Sequence, residues 1–213
     1  MMGADQFDHD EQLLWRILYR LEALALDRYE RFAPPLAIAA KREITRVLAR
    51  GAPDDACLKE SVVNEPFREL LDAASSGNET ETLIIQGLLL ERLGQIIYKV
   101  MSEQSAVSAA TRSLGGAGRE ACTAVIALAE DQLSKVVGKG EALFDVFTAA
   151  SDGVLDKLDG LGDAVNTIFG QRFGLTFSEL LGEFTAELLP ACVALGMNRR
   201  KVVCHLAGAF MGQ

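Results

Sequence analysis

The sequence predicts an all-α protein of about eight or nine helices, and three observations support that fold class. Apolar residues recur at intervals of three and four along most of the chain, which places them on one face of a helix. The β-branched residues are scattered and show no convincing alternation with polar residues, as a strand would require. Glycine and proline residues interrupt the periodic stretches, so the pattern indicates separate helices that pack as a bundle.

Length and composition are those of a soluble globular protein with one domain or two small ones. The chain has 213 residues, of which 49% are hydrophobic and 24% charged, and this balance excludes wholesale disorder. A formal net charge of −9 opposes contact with phosphate backbones and anionic membranes. Residues 1–10 lack the basic start of a secretory signal, and charges interrupt the most apolar stretch, residues 83–101. We therefore expect a cytoplasmic protein without a membrane span.

The first two predicted helices meet at a pair of prolines. Leu14 and Leu21 share the apolar face of a helix that spans about residues 12–32. The Pro34-Pro35 pair ends it, because the residue before a proline is pushed out of the α region. Proline fits the first turn of a helix, so we expect the second helix to begin at once and to end at Arg50.

The fourth predicted helix is apolar over most of its circumference, which indicates a central, buried position. Asn78 and Glu81 have the spacing of a capping pair at its N-terminus, and it ends near Glu103. Gly87 and Gly94 lie seven residues apart, hence on one side of the helix. This spacing predicts a flat strip against which another helix packs closely.

A glycine-rich run is predicted to divide the chain into two helical units. Residues 104–118 are small and polar, and they end in three glycines within the four residues Gly115–Gly118. Glycine in a helix interior costs about 1 kcal/mol, so this run predicts a break. We expect an N-terminal unit over residues 1–103, a connection over 104–118 and a C-terminal unit over 119–213. The run also spells G-x-G-x-x-A, but no strand precedes it, which favours a helix connection over a dinucleotide-binding loop.

Further glycine breaks divide the C-terminal unit into shorter helices. In chain order, the predicted helices cover residues 12–32, 35–50, 65–74, 79–103, 119–137, 141–151, 154–169, 177–196 and 199–210. Five phenylalanines of the C-terminal unit are candidates to line an apolar pocket, although core packing is their commoner use. They are Phe144, Phe147, Phe169, Phe173 and Phe177.

Histidine and cysteine are too few and too dispersed to indicate a metal site or a cofactor. The two histidines, His9 and His205, belong to no E-x-x-H or H-x-x-x-H spacing of the kind that metal-binding helices use. The four cysteines form no C-x-x-C pair. They are Cys57, Cys122, Cys192 and Cys204. No nucleophile motif such as G-x-S-x-G is present, so we expect no metal, no cofactor and no catalytic residues.

The C-terminal residues resemble a bacterial helix-turn-helix core over about twenty positions. Cys192 takes the small position before a turn glycine, Gly196, and Met197 takes the apolar position after it. Val202 and Leu206 then face inward from a second helix, which the resemblance implies is a recognition helix. A helical hairpin that binds no DNA has the same pattern. The candidate residues for contact with DNA or a protein partner are Asn198, Arg199, Arg200, Lys201 and His205.

These observations favour a non-catalytic protein that acts through protein–protein contacts, as an adaptor or regulator, with a protein partner or by self-association. One alternative is a DNA-binding transcriptional regulator that uses the C-terminal helix-turn-helix, although the acidic remainder of the chain disfavours nucleic acid as a partner. A further alternative is a helical bundle that binds a small apolar ligand. The sequence shows no whole-chain resemblance to a known family that would favour one of these alternatives.

Overall fold

The computed structural model describes residues 9–31, 33, 38–52, 64–75, 77–136, 140–170 and 173–211. Every regular element within these ranges is a helix, which confirms the all-α fold class. No helix in this part of the chain is long and apolar enough to cross a lipid bilayer. The cytoplasmic location stays a prediction, as do expectations that concern Cys57 and the side chain of His9, which lie outside the described residues.

Nine helices can be followed through the described ranges. They are α1 (His9–Tyr29), α2 (Ala39–Gly51), α3 (Asn64–Ser75), α4 (residues 79–103), α5 (Ala109–Val136), α6 (Glu141–Asp159), α7 (residues 162–170), α8 (Phe177–Ala194) and α9 (Arg199–Met211). Helix α4 is continuous but changes pitch, because a π-helical segment, Leu83–Leu90, lies between two α-helical ones. Helix α7 likewise ends in a π-helical turn, Asn166–Gly170.

Helices α1, α2, α4 and α5 form a four-helix group at the centre of the molecule. Helix α1 contacts α2, α2 contacts α5, and α5 packs along α4. The later helices cover this group: α6 contacts α3, α4 and α9, while α8 contacts α4, α7 and α9. One large cluster of buried apolar side chains extends through both sets, from Leu13 in α1 to Leu206 in α9.

Helix α4 has the buried, central position that its sequence predicts. Leu83, Leu88 and Ile96 are fully buried although they point to different sides of the helix. The capping box of Asn78 and Glu81 forms as expected, with each residue's side chain bonded to the other's backbone N–H. Because α5 packs against the glycine strip, a Cβ added at Gly87 would lie only 2.2 Å from the Cβ of Ala129.

The glycine-rich run does not break the chain. Residues 115–118 lie inside α5, so the predicted break at these glycines is wrong, and of the predicted connection only residues 104–108 join α4 to α5 outside a helix. The cause is close packing: a Cβ on Gly115 would lie 2.7 Å from the carbonyl oxygen of Tyr98, and one on Gly118 would lie 2.5 Å from the Tyr98 ring. Only glycine lets α5 approach α4 this closely. The packing of the two helices stabilises the fold by more than the low helix propensity of glycine costs. The division of the chain into two units stays a prediction.

Candidate active site

Four ionisable side chains meet inside the four-helix group, one from each helix. They are Glu22 of α1, Lys41 of α2, Glu91 of α4 and Cys122 of α5. Each of these residues, backbone included, is at most 5% exposed. Buried charges are costly unless they are paired, so this cluster requires an explanation beyond packing.

Lys41 is the centre of the cluster. Its Nζ lies 2.5 Å from Glu22 Oε2 and 2.6 Å from Glu91 Oε2, so the ammonium bridges two carboxylates. The Sγ of Cys122 lies 3.7 Å from the same nitrogen. The hydroxyl of Tyr98, also fully buried, donates to Glu22 Oε1 at 2.8 Å. Glu22 is therefore held from two sides, by Lys41 and by Tyr98.

The ionisation of these groups follows from burial and from their mutual charges. Burial alone would lower the pKa of Lys41, but the acidic groups that face it, Cys122, Glu22 and Glu91, outweigh burial and raise that pKa well above its ordinary value. Burial is also the largest effect on Glu91 and raises its pKa to about 7, with Lys41 opposing and Glu22 reinforcing the rise. Near neutral pH, the cluster thus combines a stable cation with a carboxyl group that readily gains or loses a proton.

The other acidic groups of the cluster stay protonated at neutral pH. Burial raises the pKa of the Cys122 thiol well above its ordinary value, although Lys41 acts in the opposite direction. Burial and the charge of Glu91 raise the pKa of Tyr29, and burial and the charge of Glu22 do the same for Tyr98. Lys41, Glu22 and Glu91 therefore carry the charge of the site.

An apolar cavity of about 100 Å³ reaches this cluster. Its walls come from α1, α2, α3, α4, α6, α7 and α8, and they are apolar except at Glu22, Lys41, Gln86 and Glu91. On α1 the lining extends from Leu14 to Ala25, which corresponds to about 16 Å along the helix axis. The lining therefore follows α1 for about three turns, and Glu22 lies near the Ala25 end of that stretch.

The phenylalanines that the sequence offered as pocket residues divide into two groups. Phe169 and Phe177 line the cavity. Phe173 packs against Phe169 with ring centroids 5.3 Å apart, while Phe144 and Phe147 contact the ring of His205 instead. Two of the five therefore belong to the cavity wall.

Sequence reasoning did not find Glu22, Lys41 or Glu91, although two of them left a signal. Glu22 follows Leu18 by four residues and precedes Ala25 by three, so it lies on the apolar face of α1. Glu91 interrupts a helix that is otherwise apolar on nearly every side. A charged residue on a buried face indicates a functional or paired group. Lys41 left no such signal, because its immediate neighbours in sequence are polar or small.

Some of the candidate contact residues near the C-terminus pack against other parts of the fold, and others are exposed. Asn198 caps α9 by accepting a hydrogen bond from the Lys201 backbone N–H at 3.2 Å, and Arg199 and Arg200 are exposed. Lys201 pairs with Glu141 of α6. His205 also faces α6, where Ser151 lies. A contact role for Asn198, Arg199, Arg200, Lys201 and His205 stays a prediction.

His205, Ser151 and Asp152 have the arrangement of a nucleophile with its base. His205 Nε2 lies 2.8 Å from Ser151 Oγ, and its Nδ1 lies 3.5 Å from Asp152 Oδ1. The fold thus brings together a Ser–His pair from residues 54 positions apart. Ser151 is fully buried between α6 and α9, however, so no carbonyl group can reach its Oγ. This arrangement joins two helices and is not a hydrolytic site.

Comparison with known proteins finds a similarity in fold and none in sequence. No protein-family model matches it, and no curated protein is similar in sequence. Among solved structures, it is similar to "Protein 19 with aldehyde deformylating oxidase activity" from Synechococcus, with a TM-score of 0.70 and 16% sequence identity. The match covers 95% of this chain and 94% of that one.

This likeness contradicts the expectation of a non-catalytic adaptor. Over nearly its whole length the chain has the fold of an enzyme, and the sequence-based prediction that it is not an enzyme is corrected accordingly. The alternative of a DNA-binding regulator fails for the same reason. The error arose because the ionisable groups that meet in the bundle come from four separate helices, so no local motif displays them.

Carboxylates that meet inside a four-helix group raise the question of a metal centre, and the residues here do not fit one. Ferritin-like bundles with two metal ions use a Glu from each of two helices and a Glu-x-x-His motif from each of the other two. Glu22 and Glu91 supply the first pair. The other two helices offer Lys41 with Ile44 and Cys122 with Val125, and an ammonium is no metal ligand. Within the described residues, no group of three or more His, Cys, Asp and Glu side chains is placed to hold a metal ion.

Proposed function

We propose that this chain is an enzyme that moves a proton beside the carbonyl group of an aliphatic substrate, with an aldehyde as the first class to test. The observation that carries the proposal is the Lys41–Glu91 pair on the wall of an apolar cavity, with the pKa of Glu91 raised to about 7. A general acid–base group is most effective when its pKa lies near the working pH. The aldehyde is suggested by the activity in the name of the structurally similar oxidase.

The cavity favours a substrate with one polar end and a hydrocarbon chain. Its walls bury alkyl groups, and each methylene transferred from water contributes about 0.8 kcal/mol to binding. Glu22, Lys41 and Glu91 lie together, near the Ala25 end of the lining on α1. A substrate therefore binds with its carbonyl group at Lys41 and its chain along the apolar length.

Lys41 supplies a positive charge at the carbonyl oxygen. Because its pKa is raised, the side chain stays an ammonium and donates a hydrogen bond instead of attacking as a nucleophile. The carbonyl oxygen gains negative charge when a proton leaves the neighbouring carbon, and a fixed cation in a buried site stabilises that charge. Glu22 and Tyr98 do not contact the reacting atoms in this scheme; they are positioning residues that hold the ammonium.

Glu91 moves the proton. In its ionised form, its carboxylate takes a proton from the carbon next to the carbonyl, and the electron pair of that C–H bond shifts toward the oxygen held by Lys41. The protonated Glu91 then returns a proton to the same carbon or to one conjugated with it. Atoms and charge balance with no redox partner, since the carboxyl group ends as it began.

Hydrogen exchange in deuterated buffer tests this proposal directly. With decanal as the probe, we expect the protein to accelerate the loss of the α-proton signal in NMR spectra, with a rate that rises with pH through about 7 as Glu91 ionises. Glu91→Gln should lower the rate by about 10²-fold or more, a common contribution of a general base. The double variant Glu69→Gln/Lys157→Met is a matched control, because it removes an exposed pair of the same kind, 3.1 Å apart. Exchange no faster than in buffer, or unchanged in Glu91→Gln, would contradict the proposal.

A further inference from the structure

We infer that the Lys41 ammonium occupies a cation position in this bundle, so that the wild-type site excludes metal and becomes a metal site when Lys41 is replaced by a carboxylate. This inference does not depend on the substrate or on the reaction proposed above. It rests on the convergence of the four central helices on one point, on the contacts of Lys41 there and on the residues that neighbour the cluster along α2 and α5.

The contacts of Lys41 are those of a cation among ligands. Carboxylate oxygens from two helices lie 2.5 and 2.6 Å from its Nζ, and the thiol of Cys122, from a third helix, lies 3.7 Å away. Carboxylates and thiols also bind divalent metals, so a cation of either kind fits the same set. A metal ion cannot enter without displacing the ammonium, which is buried with its partners.

The surroundings of the cluster are consistent with a site adapted to an ammonium. Three residues after Lys41, on the same face of α2, Ile44 is 4% exposed. Three residues after Cys122, Val125 of α5 is 1% exposed. In di-metal bundles these spacings carry histidine ligands, whereas here they carry only hydrocarbon. An ammonium has three N–H donors and is satisfied by few acceptors, so it needs no such ligands.

Lys41→Glu converts the site from an ammonium centre to one with a carboxylate from each of three helices and a thiol from the fourth. Without metal, the three carboxylates repel one another and destabilise the bundle. With metal, they form an oxygen-rich set with one sulfur ligand. We therefore expect Lys41→Glu to bind one equivalent of Co²⁺ per chain, with visible absorption and a rise in Tm on metal addition.

Co²⁺ titration of the purified, chelator-treated protein tests the inference in two arms. In the first arm, the wild-type protein should show no stoichiometric Co²⁺ uptake and no Tm shift. In the second arm, Lys41→Glu should show both, and Lys41→Glu/Glu91→Gln should lose most of the uptake. Lys135→Glu, which makes the same change of charge at an exposed position beside a single carboxylate, Asp131, is the control for nonspecific binding.

Each outcome bears on the inference. Stoichiometric Co²⁺ uptake by the wild-type protein that Glu22→Gln abolishes would overturn it. So would a Lys41→Glu protein that keeps its helical circular dichroism and takes up no Co²⁺. If Lys41→Glu folds in neither condition, the wild-type titration still decides. The Co²⁺ measurements do not involve decanal. A protein that fails to catalyse decanal exchange therefore contradicts the proposed function and leaves this inference untouched.

Discussion

Lys41 Nζ lies 2.5 Å from Glu22 Oε2 in the interior of the bundle, where the two side chains are 2% and 6% exposed. Desolvating such a pair costs several kcal/mol per ion, and the attraction between the charges compensates only when further hydrogen bonds are made. Tyr98 and Glu91 supply these additional contacts. The site is therefore a network whose members depend on one another, which makes the removal of any single charge informative.

Replacement of Lys41 by methionine should destabilise the protein strongly. The variant keeps most of the side-chain volume but leaves Glu22 and Glu91 without their shared cation, and breaking a buried ion pair typically costs about 3–5 kcal/mol. The loss should shrink at acidic pH, because Glu91, whose pKa is raised to about 7, is then protonated and no longer needs a cation. Urea unfolding at pH 8 and pH 5 measures the difference.

Two further variants separate charge from packing at Lys41. Lys41→Met/Glu22→Gln should recover part of the loss at pH 8, because it removes one of the unpaired carboxylates. Lys157→Met, on the surface, should leave stability nearly unchanged. Equal destabilisation by Lys41→Met at both pH values would mean that packing, not charge, holds Lys41 in place.

Glu91 should make the stability of the protein fall as pH rises toward neutrality. Its pKa is about 7 in the folded protein, against an ordinary value of 4.5. Between these two pH values, Glu91 is therefore protonated in the folded state and ionised in the unfolded state. The stabilisation from this group is complete below about pH 4.5 and is lost as pH rises through about 7. At about 1.4 kcal/mol per pKa unit, it amounts to roughly 3 kcal/mol.

Glu91→Gln tests that pH dependence, since glutamine resembles the protonated carboxyl group in shape. Free energies of unfolding from urea titrations between pH 4.5 and pH 8 should decline for the wild-type protein and be flatter for Glu91→Gln. Glu69→Gln, at an exposed position, should follow the wild-type curve. Parallel curves for wild type and Glu91→Gln would show that the Glu91 carboxyl group does not titrate near neutrality.

The fold class and the burial of α4 could be predicted from sequence, because both depend on local periodicity. Asn78 and Glu81 cap α4 as predicted for the same reason. The cluster around Lys41 could not be predicted, since Lys41 and Glu22 are 19 residues apart and Lys41 and Cys122 are 81 apart. Only tertiary packing brings these side chains together, and their spacing along the chain carries no trace of it.

The glycine run misled sequence reasoning because propensity and packing act in opposite directions there. Gly118→Ala places a methyl group about 2.5 Å from the Tyr98 ring, and Gly115→Ala places one 2.6 Å from the Ser102 backbone nitrogen. Each should destabilise the protein by about 1–3 kcal/mol, as overpacking does. Gly116→Ala is the matched control, because nothing lies within 4 Å of the new methyl group. The higher helix propensity of alanine should stabilise this variant by about 1 kcal/mol. Chemical denaturation measures all three, and a stabilising Gly118→Ala would contradict the close helix crossing.

Substrate chain length should determine affinity if the cavity holds the hydrocarbon. Each methylene buried contributes about 0.8 kcal/mol, so the KM for α-proton exchange should fall about fourfold per added carbon while kcat changes little. The trend should end once the chain fills the cavity, whose volume is about 100 Å³. Leu18→Trp, which places a larger side chain on the wall, should move that limit to shorter aldehydes and leave the exchange of propanal unaffected. A series from propanal to dodecanal, measured on both proteins, checks this, and a KM independent of chain length would show that the substrate does not lie in the cavity.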